Sequence, residues 1–342
     1  MSHSLKQKLG ALAIDLPRFE WRLRRNWVLV RNRAERVESG PAAVGMRCGW
    51  QWTSTLHVAK VFPSTGRRLF RRALRDWPLR FAAAPPAVAQ HPRVSFVIGH
   101  RGTGRLPHLL ATLRTIAAQR DVACECIVVE QSDQQEIASL LPPWVRYVHT
   151  RPPLPDMPYC RSWTLNVGAR QARGELLVLH DNDMLIPMDY ASELLRHYSE
   201  GYEVINLKRF VFYLTQAETS KFFAAGTLET SAACEEIIQN LEAGGSVAIA
   251  RDAFIALGGF DESFIGWGGE DNEFWERAQT RRTWPFAYLP VVHLWHPAQP
   301  RKTDPANPTL LHYKARAAVA AELRIAELRN RAFGQLDKLS VE

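Results

Sequence analysis

From residue 94 onward, short apolar runs alternate with stretches whose apolar positions recur at helical spacing. Val94 to Ile98 is a β-branched run that predicts a buried strand over 94–99. Over 104–119, Leu106, Leu109, Leu110, Leu113 and Ile116 fall on one helical face. CECIVVEQSD predicts a second strand, EIASLL a short helix and VRYVHT a third strand, followed by a proline-rich loop at 152–158. A helix over 159–173 leads to ELLVLHDND, a fourth buried strand that ends in acids. Strands alternating with helices predict an α/β fold with a mainly parallel central sheet flanked by helices. In such sheets ligands bind beyond the carboxyl ends of the strands, which is where Asp181 and Asp183 fall. The later pattern predicts a strand over 201–214, a helix over 229–243, and a strand then a helix across GSVAIARDAFIALGGF. A last strand in FAYLPVVHLWHP and a long helix over 309–334 complete it.

The Ala/Pro stretch 82–88 reads as a linker. Before it, GWQWTSTLHVAKVF is expected as a strand pair and GRRLFRRALRDW as a short helix. The chain therefore divides into a basic Trp/Arg-rich N-terminal extension with its linker (1–88), a catalytic α/β domain (89–300) and a C-terminal helical segment (301–342). No run of eighteen apolar residues predicts a membrane span, and the N-terminus shows no cleavage site. Five scattered cysteines form no framework and fit a reducing cytoplasm. Cys124 and Cys126 share one side of a strand without zinc-type spacing.

Charge changes the picture. Residues 1–90 carry 17 Lys and Arg against 5 Asp and Glu, an excess of +12 on a chain whose net charge is +8. Such asymmetry points to an anionic partner, a membrane surface or an acidic glycan, or to a solvated basic face. Trp21, Trp27, Trp50 and Trp52 are candidate interfacial anchors, with packing onto the catalytic domain as the alternative. No nucleic-acid-binding motif accompanies the charge, so nucleic acid is not expected.

Two stretches carry candidate chemistry. HDNDM sets Asp181, Asn182 and Asp183 after an apolar strand, where hard oxygen ligands would hold a divalent cation that grips a diphosphate. VVHLWHP adds His293 and His296 at a later strand end, and an Asp plus His set suits Mn2+. GGFDESFIGWGGEDNEFWER places Trp267 among glycines and follows it with Glu270 and Asp271. Glycines allow positive φ and close approach, and a Trp face suits a sugar ring. Capping of the helix that follows is the structural alternative for the two acids.

Together these stretches resemble the β-1,4-galactosyltransferase family. RSWTLNVGARQARGELLVLHDNDMLIPM is similar to its donor segment, through Arg161, Asn166–Gly168, Asp181, Asp183 and Leu185–Met188. Gly266 to Asp271 is similar to its Gly-Trp-Gly-Gly-Glu-Asp motif. The HLWHP ending is closer to the chondroitin-synthase and polypeptide GalNAc-transferase branches, whose terminal His binds metal. The likeness covers about 94–300 and leaves 1–85 unexplained. Asn272 and Glu273 stand where the family has a further acid, and its Met-x-x-His metal pair is missing, so galactose is not assigned as the donor sugar.

The resemblance implies a single GT-A (nucleotide-diphospho-sugar transferase) domain and a metal-dependent inverting glycosyltransferase. It would move a sugar from a nucleotide-diphosphate donor, a UDP-sugar, to a glycan or glycolipid hydroxyl in bacterial surface polysaccharide synthesis. Asp271 would be the general base, with Glu270 beside it. Asp183 would ligate Mn2+ (Mg2+ as substitute), with Asp181 near the metal and ribose and His293 or His296 as a further ligand. His100, Arg101, Glu130, Asp133, Arg161, Asn182, Trp267 and Gly268 complete the expected donor-binding set. A cytoplasmic enzyme peripheral to the inner membrane face, touching it through 1–85, is the expected location. The alternatives are a non-catalytic sugar- or nucleotide-binding protein of the same fold and a sugar nucleotidyltransferase, for which GHRGTGR is a faint phosphate loop.

Overall fold

The protein was analysed as a computed structural model that describes residues 5–41, 44–48, 54–154, 156–239, 243–298, 304 and 306–338. Its larger sheet has seven strands in the order Thr283–Trp284, Val204–Ile205, Ser246–Ala250, Leu176–His180, Val94–His100, Cys124–Gln131, Val145–Thr150. The last four of these run parallel to one another, and Ser246–Ala250 runs antiparallel to both its neighbours. The α/β fold with a mainly parallel sheet is therefore as expected. Val94, Phe96, Val97, Ile98, Leu177 and Val178 are fully buried, which is why these strands read as unbroken apolar runs.

A second sheet of five strands follows the order Ser54–Thr55, Cys234–Gln239, Lys208–Leu214, Leu289–His293, Met184–Leu185. The expected strand 201–214 is thus two strands, Val204–Ile205 in the large sheet and Lys208–Leu214 in the small one. The expected helix over 229–243 is overturned. Cys234–Gln239 pairs antiparallel with Lys208–Leu214, burying Ile237 and Gln239 on one face. Its Ala and Glu content favours helix locally, but an open sheet edge beside Phe210 and Phe212 outweighs that preference. The expected helix 309–334 breaks into Pro308–Ala317 and Ala321–Arg329. That break brings the buried Arg324 to Glu273 Oε1 (3.0 Å) while its Nε donates to Val319 O.

The basic N-terminal part packs into the body rather than beside it. One core cluster joins Phe19, Trp27, Val30 and Phe70 to Val94, Phe210 and Val291. Arg209 is buried and donates to Val28 O (2.8 Å) and Val30 O (2.6 Å). Instead of a strand pair over 49–62, Ser54–Thr55 extends the small sheet and His57–Val61 is helical; residues 49–53 lie outside the described residues. The role of Trp27 as an interfacial anchor is overturned, because its ring is buried 5.9 Å from that of Phe210. Trp50 and Trp52 lie outside the described residues, and Trp21 is 59% exposed.

Candidate active site

The turn after Leu176–His180 sends its two aspartates in different directions. Asp181 N donates to Gly245 O (2.8 Å), and Asn182 Nδ2 donates to His100 Nδ1 (2.8 Å). Met184–Leu185 then joins the small sheet in a register that sets His293 opposite Met184, and Leu294 N donates to Asp183 O (2.9 Å). This pairing brings residues 110 and 113 positions downstream onto the Asp183 carboxylate. His293 Nε2 lies 3.7 Å from Oδ1 and His296 Nε2 lies 3.3 Å from Oδ2.

Arg105 completes this cluster, with Nη1 3.1 Å from Asp183 Oδ2 and Nη2 3.1 Å from His296 Nδ1. Burial alone would raise the Asp183 carboxyl, but His293, His296 and Arg105 hold it well below the usual carboxylate range. Burial pushes the His293 pKa down against the opposing pull of Asp183, which favours the form of the ring that has a lone pair to offer, and the ring stacks on Tyr213. Its Nδ1 is buried without a hydrogen-bond partner among the described residues. One buried carboxylate and two imidazoles, their ligand atoms all within 4.8 Å of one another, form a possible site for a divalent cation of borderline softness.

The second cluster is built on Arg161, at the start of helix Arg161–Gln171. Its Nε and Nη2 donate to Asp181 Oδ1 (2.8 and 2.6 Å), and its Nη1 donates to Asp271 Oδ1 (2.5 Å). One guanidinium thus joins the acidic turn to the acid pair. With Asp181 engaged there, the cation cluster consists of Asp183, His293 and His296. Asp271 Oδ2 faces Gly244, where an added Cβ would come within 2.8 Å of it.

Asp271 is aimed by the glycine loop before it. Gly266, Gly268 and Gly269 have φ of 104°, 110° and 91°, a region L side chains avoid. The C-terminal helix Pro308–Ala317 lies directly on this loop: a Cβ on Gly269 would meet Tyr313 Cβ at 2.6 Å. Asn307 and Thr309 both donate to Trp267 O, which leaves the indole 38% exposed. Glu270 is buried and accepts from Gly268 N (3.1 Å), bracing the loop. Burial raises the pKa of both Glu270 and Asp271, despite the opposing pull of Arg161.

Asn166 explains why the Asn-Val-Gly segment accompanies the glycine loop. Its side chain accepts from Phe260 N (2.8 Å) and donates to Phe260 O and Glu262 Oε1 (2.9 and 2.8 Å). It therefore clamps the chain entering the Trp267 loop. A Cβ on Gly168 would lie 2.4 Å from Val97 Cγ1, so this helix approaches the sheet only with glycine there.

The remaining expected donor residues are more dispersed. His100 is buried, holds Asn182 through Nδ1 and contacts Gly102 O through Nε2 (2.7 Å). Arg101 donates to Met157 O (2.8 Å), fastening the proline-rich loop. The Glu130 carboxylate accepts from Tyr147 and from the amides of Glu136 and Ile137, bonds that shape the loop after its strand. Asp133 is exposed in that loop. Sequence reasoning missed Arg105 and Gly244. The glycines around Arg105 in GHRGTGR were the available signal for the first, and the pair Gly244–Gly245 before a strand for the second.

The family model described as glycosyltransferase like family 2 matches residues 95–295, more than half of the chain. The chain belongs to this family. Within that span lie Asp183 and His293 of the cation cluster, the Arg161–Asp181–Asp271 cluster and the glycine loop, and His296 follows one residue beyond its end. The zebrafish (Danio rerio) β-1,4-galactosyltransferase 5 is 26% identical over 130 residues, which is 36% of this chain and 27% of that protein. The chain thus matches about a quarter of that relative's length. The catalytic domain of Drosophila β-1,4-galactosyltransferase 7, solved with xylobiose, covers 53% of this chain with 58% of its own, at 18% identity and a TM-score of 0.33. The protein is a glycosyltransferase with an α/β catalytic body, and its expected GT-A architecture agrees with the mainly parallel sheet.

Proposed function

We propose that this glycosyltransferase is metal-dependent and inverting, and that it moves a sugar from a UDP-sugar to a glycan or glycolipid hydroxyl. The observation that carries this reading is the turn 181–183, which places a candidate cation cluster on one side and the Arg161-linked Asp271 on the other. Asp183, His293 and His296 would hold Mn2+ or Mg2+, which supplies positive charge to the leaving diphosphate. Arg105, already against this cluster, adds a fixed guanidinium on the same side.

An acceptor hydroxyl is a poor nucleophile. Its oxygen attacks the anomeric carbon as the bond from that carbon to the diphosphate oxygen breaks, and its proton passes to the Asp271 carboxylate. The raised pKa of Asp271 makes it a better base than an exposed aspartate. Arg161 fixes one carboxylate oxygen and leaves Oδ2 toward Gly244. The half-exposed Trp267 ring, held by its carbonyl, offers a stacking face for a sugar.

The test is a screen of UDP-sugars with Mn2+ for release of UDP, with and without sugar acceptors. Release of UDP with transfer to an acceptor supports the reading. Binding without turnover would instead favour a non-catalytic sugar-binding protein, and production of pyrophosphate a nucleotidyltransferase.

A further inference from the structure

The basic N-terminal part carries a cleft that the transfer chemistry does not use. It is lined by Asp15, Arg18, Arg22, Arg31, Arg33 and His57 and opens to solvent. Four guanidiniums face one carboxylate, and that carboxylate is already taken by Arg33, through Nε and Nη2 at 3.1 Å. Arg22 and Arg31 each donate to a backbone carbonyl, of Arg31 (2.9 Å) and Leu29 (3.4 Å), a bond that brings no counter-charge. Arg18 makes no hydrogen bond or ion pair among the described residues. Burial lowers the Arg22 pKa first, and the repulsion of Arg31 and Arg18 adds to it against the opposing pull of Glu35 and Asp15. An anion entering the cleft would relieve that repulsion.

The helical stretch that supplies Asp15, Arg18 and Arg22 has a second unusual feature. Leu9, Leu12, Ile14 and Trp21 are 56, 51, 38 and 59% exposed. The fold does not need them, because Phe19 and Leu23 already bury the inner face of helix Leu16–Arg25. Arg24 and Arg25 are also exposed, and the Arg25 guanidinium lies over the Trp21 ring at 5.5 Å. Exposed Leu, Ile and Trp flanked by unneutralised arginines are the arrangement of a helix that lies in a lipid interface. A small soluble phosphate or a polyanionic glycan would fill the cleft but leave the apolar side chains unexplained.

We propose that this face docks on an anionic membrane, the arginine cleft taking a lipid phosphate while Leu9, Leu12, Ile14 and Trp21 enter the headgroup region. The inference does not depend on the transfer chemistry. Of the candidate aromatic anchors it keeps the exposed Trp21 and drops the buried Trp27.

The experiment is co-sedimentation of the full chain with phosphatidylcholine vesicles that contain or lack phosphatidylglycerol, at low and high salt. The proposal expects binding only with phosphatidylglycerol, weakened by salt. Arg18→Ala should weaken it about fivefold, the loss expected for one basic residue at an anionic surface. Arg24→Ala, on the same helix but outside the cleft, should cost less, and Trp21→Ala should weaken binding even at high salt. Arg18, Arg24 and Trp21 are surface residues, and an unchanged thermal unfolding midpoint verifies the folding of each variant. Equal binding to both vesicle types, or equal losses for Arg18→Ala and Arg24→Ala, would overturn the lipid-phosphate cleft. Inorganic phosphate bound to the cleft of a protein that sediments with neither vesicle would overturn it as well.

Discussion

Asp183 and Asp271 are both carboxylates of one candidate site, yet their surroundings push them in opposite directions. Asp183 is almost fully buried, but two imidazoles and Arg105 converge on it and hold its pKa down. Asp271 has one arginine, shared with Asp181, and burial wins, so its pKa goes up. A carboxylate surrounded by positive and lone-pair-bearing groups is suited to hold a cation and stay charged. One that is desolvated and only partly compensated is suited to take a proton. The difference between binding and base chemistry is thus set by how many cationic groups reach each carboxylate, not by the residue type.

Removing the cation should break the comparison most completely. Excess chelator is expected to abolish transfer, and Mn2+ to restore it, because the Asp183 side then has nothing to offer the diphosphate except Arg105. Activity that persists in chelator would leave Arg105 as the only charge acting there. Next in size is Asp271→Asn, expected to lower kcat on the order of 10²–10⁴-fold, the usual range for a lost general base. Nucleotide binding should stay nearly unchanged. Asp183→Ala should do the reverse in titrations of UDP, weakening binding in the presence of Mn2+. If Asp271→Asn turns over normally, Glu270 becomes the residue to test.

How much of this was legible beforehand depended on the range of the interaction. Strands such as Val94–His100 and Leu176–His180 could be read because burial on both faces forces unbroken apolar runs. The strand Cys234–Gln239 could not, since what makes it a strand is the edge of Lys208–Leu214. The acids and histidines of the site stood out by type and order. What no local pattern contains is Arg161 reaching Asp271 across 110 positions while it holds Asp181, or the loop after Val94–His100 delivering Arg105 to Asp183. Packing of the N-terminal part stood in the sequence only as an alternative to interfacial anchoring, because its arginines dominate the composition while Phe19, Leu23 and Trp27 do the burying.

A smaller effect sharpens the same point at a distance from the chemistry. Asn166→Ala removes both sides of the clamp on Phe260 and leaves buried backbone groups unpaired, which costs about 1–3 kcal/mol for each group left without a partner. Thermal unfolding should show the loss directly. The rate should fall as well, because the clamped segment leads into the loop that aims Asp271. A variant that is destabilised but transfers at full rate would separate the clamp from the placement of the base.

The smallest expected effect is the one that tests the comparison most directly, because it concerns sign. Asp183 has a depressed pKa in the fold, so its charged form stabilises the protein above the ordinary carboxylate range. That contribution is lost as pH falls through the depressed value. Glu270 and Asp271 have raised pKa values, so the fold favours their protonated forms; that stability is fully present below the ordinary range and is lost as pH rises through the raised values. Measured in chelator at neutral pH, Asp183→Asn should therefore lower Tm, since it strips the partner from His293, His296 and Arg105. Asp271→Asn should raise Tm while it destroys activity, because Arg161 keeps Asp181 as a partner and a penalised charge is gone. Scanning calorimetry across about pH 4 to 8, the span between carboxylate and imidazole titration, should show the Asp271→Asn gain shrinking toward the acid end. Two variants that shift Tm in the same direction would mean that the carboxylates are not in opposed environments, and the division of labour in the cleft would have to be drawn from some other feature.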